Sequence, residues 1–308
     1  MFPRYEYTPA DCRTSLQRHD RLMAELDVLD GDIICLQEVG VDYEPVLTGE
    51  LEKQGYVGEY CRHVGQGDGQ GDATYFKTDK FELLQVERFT FNEMLAEAVE
   101  GKLEEEKEIL EKSLADETFL ILKLKHLTTG TTFAVGNIHT IWENFTRLDI
   151  SALHIALSLA KLANSAGNNT FIIAGDFNSP PHLAPYGLLK NGQPCDSQKS
   201  KLVTEASVKV NGKSMFELLE YSYQHESQDL TSSYLEVLGM EPGLTIYQKY
   251  DGQCLLDTCL DYIWFTSNTL EVVSVLDTAT PTIYLPDQVF PSDHLSLKSS
   301  YRFKTVSR

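Results

Sequence analysis

Five short polar clusters stand out against the apolar runs around them. They are Gln37-Glu38, Asn137-Ile138-His139, Gly175-Asp176-Phe177-Asn178, Asp261-Tyr262 and Ser292-Asp293-His294. Each lies at the end of an apolar run, where a strand can present side chains into a shared cleft. Carboxylates and an amide are what a hard cation such as magnesium prefers. Imidazoles can stabilise charge on phosphoryl oxygens. Together these are the residue types needed to cleave a phosphate ester with a metal ion. Singly, each has a plainer reading. Asp176 and Asn178 could cap a loop after a strand, His139 could be a core histidine, Asp293-His294 a turn, and Glu38 an exposed strand end. All five together, in this order, favour the chemical reading.

The elements that must position these clusters can be read from periodicity. Strands are expected at 32–37, 73–77, 119–125, 132–138, 170–174, 260–265, 271–276 and 295–301. Helices are expected at 16–29, 44–54 and 147–163, where apolar residues recur at helical spacing. The glycine-rich stretch 65–71 reads as a loop, and Thr128-Thr129-Gly130-Thr131 as a hairpin turn. Residues 93–114 read as one mobile acidic helix with Leu103, Leu110 and Leu114 on a stripe. The stretch 190–213 is turn-rich and reads as a surface excursion. Strands and helices mix without strict βαβ alternation. This favours an α+β fold with two packed, mostly antiparallel sheets flanked by helices, a four-layer sandwich. No linker divides the chain, so 1–308 is expected to form a single domain, with an acidic helical insertion near 92–117.

The chain has 308 residues and a formal net charge of −20. Residues 92–117 hold ten acids and three lysines, and the rest of the chain is still acidic. A wide basic face for non-specific nucleic-acid binding is therefore not expected. An acidic chain that acts on phosphates needs a metal ion or a few placed cations. No run of about 18 apolar residues occurs, so no membrane span is expected. The start of the chain carries no apolar secretory segment. The six cysteines form no C-x-x-C pair, which gives no zinc pattern, and free thiols in a cytoplasmic protein are expected.

The motifs also carry a family resemblance. Cys35-Leu36-Gln37-Glu38-Val39, Gly136-Asn137-Ile138-His139-Thr140, Gly175-Asp176-Phe177-Asn178-Ser179, Leu260-Asp261-Tyr262-Ile263 and Pro291-Ser292-Asp293-His294-Leu295-Ser296-Leu297 resemble the ordered motifs of the endonuclease–exonuclease–phosphatase superfamily. Within it they are most similar to the group of carbon catabolite repressor deadenylases, nocturnin, angel proteins and 2'-phosphodiesterase. Asp72-Ala73-Thr74-Tyr75-Phe76-Lys77 followed by Lys80-Phe81 resembles the same group.

The resemblance implies that Glu38 holds a catalytic magnesium (or manganese), with Asp293 on the metal side of the cleft. It implies that Asp176 orients or deprotonates the attacking water and that Asn178 positions the phosphate. His139 would bind a phosphate oxygen. Asp261 would hydrogen-bond His294, which stabilises the charged transition state. Asn137, Trp142 and Asn144 are the expected substrate-binding residues. The implied activity is a magnesium-dependent phosphodiesterase or 3'-5' exoribonuclease on RNA 3' ends. The alternatives are a phosphatase for a 2'-phosphate or 2',3'-cyclic phosphate on a nucleotide or RNA end, and a weakened scaffold.

Two departures stand out. The family's opening strand bears an Asn upstream of the Gln-Glu motif, yet no Asn occurs here before Asn92, so that strand is expected to be missing. Adenine-selective relatives place a proline five residues after the motif histidine and an aromatic five before the Asp-Tyr aspartate. Here those positions are Asn144 and Leu256.

Overall fold

The computed structural model describes residues 7–65, 69–101, 105–143, 145–167, 170–227, 229–250 and 254–304. Helix α1 (Ser15–Leu29) starts at a capping box, in which Thr14 and Gln17 satisfy each other's backbone N–H groups. It lays Leu22, Met23 and Leu26 on a small sheet. There follow β1 (Ile33–Gly40), α2 (Glu44–Lys53), β2 (Tyr56–Arg62), β3 (Gln70–Lys77) and β4 (Phe81–Thr90). Helices α3 (Phe91–Val99) and α4 (Glu106–Lys112) precede the β5 (Thr118–His126) and β6 (Thr132–His139) hairpin. The long α5 (Leu148–Ala166) leads to β7 (Phe171–Asp176), then α6 (Ala184–Asn191) and α7 (Asp196–Thr204). A small hairpin, β8 (Lys209–Val210) and β9 (Lys213–Ser214), runs into α8 (Met215–Leu219). The remaining elements are β10 (Leu230–Ser232), α9 (Ser233–Leu238), β11 (Ile246–Tyr250), β12 (Cys254–Thr258), β13 (Asp261–Thr266), β14 (Leu270–Val275) and β15 (Ser299–Phe303).

Strands β10-β13-β7-β6-β5-β4 form a six-stranded sheet, and β1-β3-β2 form a three-stranded one. All pairings are antiparallel except β6 with β7, which α5 connects. Separate pairs are made by β11 with β12 and by β14 with β15. Strand β5 shows how sequence dictates the layers. Its alternate residues point to opposite faces. Leu120, Leu122 and Leu124 pack between the two sheets with Phe76, Phe81, Phe133 and Val135. Phe119 and Ile121 turn the other way, into a larger core with α3, α5 and α6. Helices α1 and α2 cover the far side of the small sheet. The expected four-layer α+β sandwich is the observed one.

Several local expectations are corrected. The acidic stretch is two helices, not one exposed helix. Phe91, Met94, Leu95, Val99, Ile109 and Ala115 are buried in the large core, so this segment roofs α5, with the acids of its two helices directed outward. Leu114 is exposed, Leu110 only leans on the core, and Leu103 lies outside the described residues. The stretch 190–213 is likewise packed, through α7 and the buried Leu202, Val208 and Val210. Strands β2 and β4 were not anticipated. Both are edge strands with one wetted face, and their charged residues mask the alternation. The last strand begins at Ser299 because 294–295 is held elsewhere. His294 bridges Ile246, and Leu295 N–H donates to the Thr245 carbonyl at 2.7 Å.

Candidate active site

The site begins at a bulge in β1. Leu36 pairs with Ala73 and Val39 with Gly71, so Gln37 and Glu38 together oppose the single residue Asp72. Such an insertion bends the strand and re-aims a side chain. Glu38 takes the left-handed conformation this requires, with φ 54°. Gln37 is thereby turned onto the neighbouring sheet, where its Nε2 donates to Asn137 Oδ1 at 2.6 Å.

Across the six-stranded sheet the register lines up three polar residues. His139 on β6 pairs with Asp176 on β7, and Asp176 pairs with Asp261 on β13. This row stands at one end of the sheet. Gly175 lets it form, because a Cβ there would stand 1.9 Å from the Ile138 carbonyl oxygen at φ 145°. The loop after β7 is pinned. The Asn178 N–H donates to Asp176 Oδ1 at 2.8 Å, and Asn178 Nδ2 donates to the Thr140 carbonyl at 2.7 Å. Asn178 itself is left-handed, at φ 45°, a conformation asparagine tolerates better than most residues. Tyr262 Oη holds the Ser179 carbonyl at 2.7 Å.

His294 completes the row from outside the sheet. Its Nδ1 faces Asp261 Oδ2 at 2.7 Å, the pair the resemblance implied. Its Nε2 then points at Asp176 Oδ2, 3.8 Å away, and His139 Nε2 stands the same 3.8 Å from that oxygen. Thr245 fixes the pair. Its hydroxyl donates to Asp261 Oδ2 at 2.5 Å and accepts the N–H groups of Leu260 and Asp261.

The electrostatics follow from this crowding. Burial, then the charge of Asp261, pushes Asp176 up to about 7, while His294, His139 and the Asn178 N–H pull the other way. Burial opposes charge on His294, but Asp261 and Asp176 outweigh it and hold the imidazole well above the ordinary histidine value. Burial likewise pushes His139 down, and Asp176, Glu38, Asp72 and Glu117 together raise it. The arrangement is a buried carboxylate able to exchange a proton near neutrality, flanked by two imidazoles that favour their charged forms.

Asp176, Asp261 and His294 can each offer a ligand atom within 4.8 Å of the others. Glu38 and Asp293 stand outside that trio, although Glu38 is close enough to act on the charge of His139. The donor chemistry fits a hard divalent ion. Carboxylates predominate, and Asp176 and Asp261 can each offer an oxygen within 4.8 Å of the other. Asp293 is half-buried beside His294 and contributes its carbonyl toward Tyr247 N–H at 3.5 Å.

Asn137 corrects the expectation of substrate binding. It is fully buried, and its Nδ2 faces the Leu36 and Ala73 carbonyls and Thr74 Oγ1. With Gln37 on its Oδ1, it ties the two sheets together. Trp142 lies on the loop after His139, edge-on to Phe145 with centroids 4.9 Å apart. Asn144 lies outside the described residues. Sequence reasoning missed Thr245, which no local pattern marks. It also gave no role to His63, Asp72 or Glu117 beside His139. An aspartate within the apolar run of β3 was the available signal for that cluster.

A four-layer α+β sandwich with this acid–imidazole row at one end defines a class of phosphoester-cleaving proteins. The chain belongs to the Endonuclease/Exonuclease/phosphatase family, whose model matches residues 12–294. It is similar to the CCR4-Not complex 3'-5'-exoribonuclease subunit Ccr4 of Mycosarcoma maydis, 26% identical over 346 aligned residues that cover 99% of this chain and 48% of that one. The Saccharomyces cerevisiae Ccr4 subunit is also 26% identical, with 97% of this chain and 36% of the relative covered. The chain thus spans about half the length of these curated relatives or less. Among solved structures, ANGEL2, a 2',3'-cyclic phosphatase in complex with adenosine-2',3'-vanadate, superposes with a TM-score of 0.75 at 22% identity, covering 97% of this chain and 90% of that one. The human Nocturnin catalytic domain superposes with a TM-score of 0.63 at 21% identity, covering 96% and 90%. These structural likenesses concern the fold.

Proposed function

We propose that the chain is a divalent-metal-dependent phosphodiesterase acting on RNA 3' ends. The observation that carries this is the row His139–Asp176–Asp261 in sheet register, closed by His294 at 3.8 Å from Asp176 and 2.7 Å from Asp261. Family membership and the Ccr4 relatives support it. Glu38, with Asp293 on the same side of the cleft, would hold magnesium, which would polarise the phosphoryl group and offset negative charge. Asp176 orients the attacking water and takes its proton. Asn178 holds Asp176 in place through its backbone N–H. With Nδ1 committed to Asp261, His294 donates from Nε2 to a phosphoryl oxygen, and His139 does so from the other side of Asp176. Attack is in line, with no covalent enzyme intermediate.

A second reading is a phosphatase for a 2'-phosphate or 2',3'-cyclic phosphate end. The charge of −20 favours it, since long RNA prefers a basic track. Leu256 also stands where adenine-selective relatives carry an aromatic, which argues against strong adenine selection. The deciding experiment offers a 3'-labelled oligoadenylate, a 2',3'-cyclic end and a dinucleotide 2'-phosphate with magnesium. Shortening of the oligonucleotide is expected, and it should fall at least about 10²-fold in Glu38→Ala and Asp176→Ala. Turnover of the phosphomonoester or cyclic end alone selects the second reading. Full activity in chelator overturns both.

A further inference from the structure

A second polar cluster lies behind His139 and shares only that residue with the row just described. His63 follows β2, Asp72 sits in β3 opposite the Glu38 bulge, Glu117 immediately precedes β5, and His139 ends β6. Four separate elements therefore deliver two imidazoles and two carboxylates to one place. His63, Asp72 and His139 can each offer one ligand atom within 4.8 Å of the others. We propose that His63, Asp72 and His139, with Glu117 beside them, form a second cation site that takes a transition-metal ion of the zinc type rather than magnesium.

Three observations carry the assignment. The first is the donor set. Two imidazoles with a carboxylate suit zinc and its transition-metal substitutes such as cobalt, whereas magnesium prefers oxygen ligands and water. The second is a distance. His63 Nε2 stands 3.3 Å from Asp72 Oδ2, at the long end for a hydrogen bond between these groups. Two ligands each about 2.0–2.1 Å from a tetrahedral ion stand about 3.3–3.4 Å apart. The third is unmet bonding. Asp72 is wholly buried, yet its Oδ1 has no hydrogen-bond partner. His139 Nδ1 and Glu117 Oε2 are also buried without one. A buried polar atom left in this way is costly, and a bound ion is one of its recognised explanations. Thr118 Oγ1 donates to Asp72 Oδ2 at 3.1 Å, the kind of outer contact that orients a ligand carboxylate. Glu117 is near enough to both imidazoles for His139 and His63 to act on its charge.

The test reads binding alone, so its outcome is independent of the hydrolytic reading. The metal-free full chain is titrated with cobalt(II) and followed by visible absorption. X-ray absorption at the cobalt edge then counts the ligands. One saturable cobalt per chain with two imidazoles is expected, displaced by equimolar zinc(II). The other trio offers only one imidazole, so this count separates the two sites in the unmodified protein. The band should persist in Asp176→Asn and be lost in Asp72→Asn and His63→Gln, each checked for folding by circular dichroism. No saturable band in the unmodified chain would overturn the proposal and leave a plain His63–Asp72 pair. So would a single-imidazole ion, or a band lost in Asp176→Asn but kept in Asp72→Asn.

Discussion

Asp261 controls His294 through one oxygen. Its Oδ2 faces Nδ1 of the imidazole and accepts from Thr245, so the ring is fixed with Nε2 toward Asp176. Burial opposes charge on the ring, and Asp261 is the largest influence raising it. Removing that charge lowers the imidazole's pKa, so the protonated form is lost at lower pH. Asp261→Asn should therefore reduce kcat/KM by about 10²-fold or more and move the alkaline limb of its pH profile to lower pH. A reduced but unshifted profile would assign Asp261 to shape rather than charge. At this scale the sequence was informative for Glu38, His139, Asp176, Asp261 and His294, because each is a polar residue ending an apolar run. Thr245 was illegible. Its role arises only where the residue before β11 meets the start of β13, a contact between segments with no shared pattern.

Between elements, Asn137 is the tie that matters. Its amide joins β6 to the backbone of β1 and β3, and Gln37 returns the bond. Asn137→Ala strands two buried carbonyls and the Gln37 amide, and should cost roughly 1–3 kcal/mol in urea unfolding. An unchanged midpoint would show that the sheets are held by apolar packing alone. Helix α5 carries a second testable feature. His154 is buried edge-on to Phe91, and burial pushes its imidazole down to about 3, with His139 and His63 adding to the effect. The unfolded chain binds this proton first. Its contribution is therefore complete above about pH 6.5 and is lost as pH falls toward about 3. His154→Leu should flatten the fall in Tm between about pH 6.5 and pH 5. A slope identical to that of the unmodified chain would exclude His154 as its source. Composition misled the reading of 92–117, because acids on the outer face of α3 and α4 dominate the count while Phe91, Met94 and Ile109 face inward.

Over the whole molecule, a charge of −20 and a cleft whose central row supplies two imidazoles set the character of substrate capture. Binding of an oligonucleotide should depend weakly on salt. One or two phosphate contacts on a single strand give a slope of log K against log salt of about −0.7 to −1.4. A slope steeper than about −3 would reveal a basic track that net charge conceals. The layer order was legible because β5 alternates cleanly, but how the strands divide between sheets was not, since register depends on partners far along the chain. That same register bears on synthesis. The row is built from β6, β7 and β13 in turn and is closed by His294. A ribosome delivers these parts in that order. Until His294 has emerged and docked against Ile246, Asp176 and Asp261 face each other without their shared imidazole. In chain order the site therefore closes late, because the imidazole that completes the row lies C-terminal to all three strands that build it.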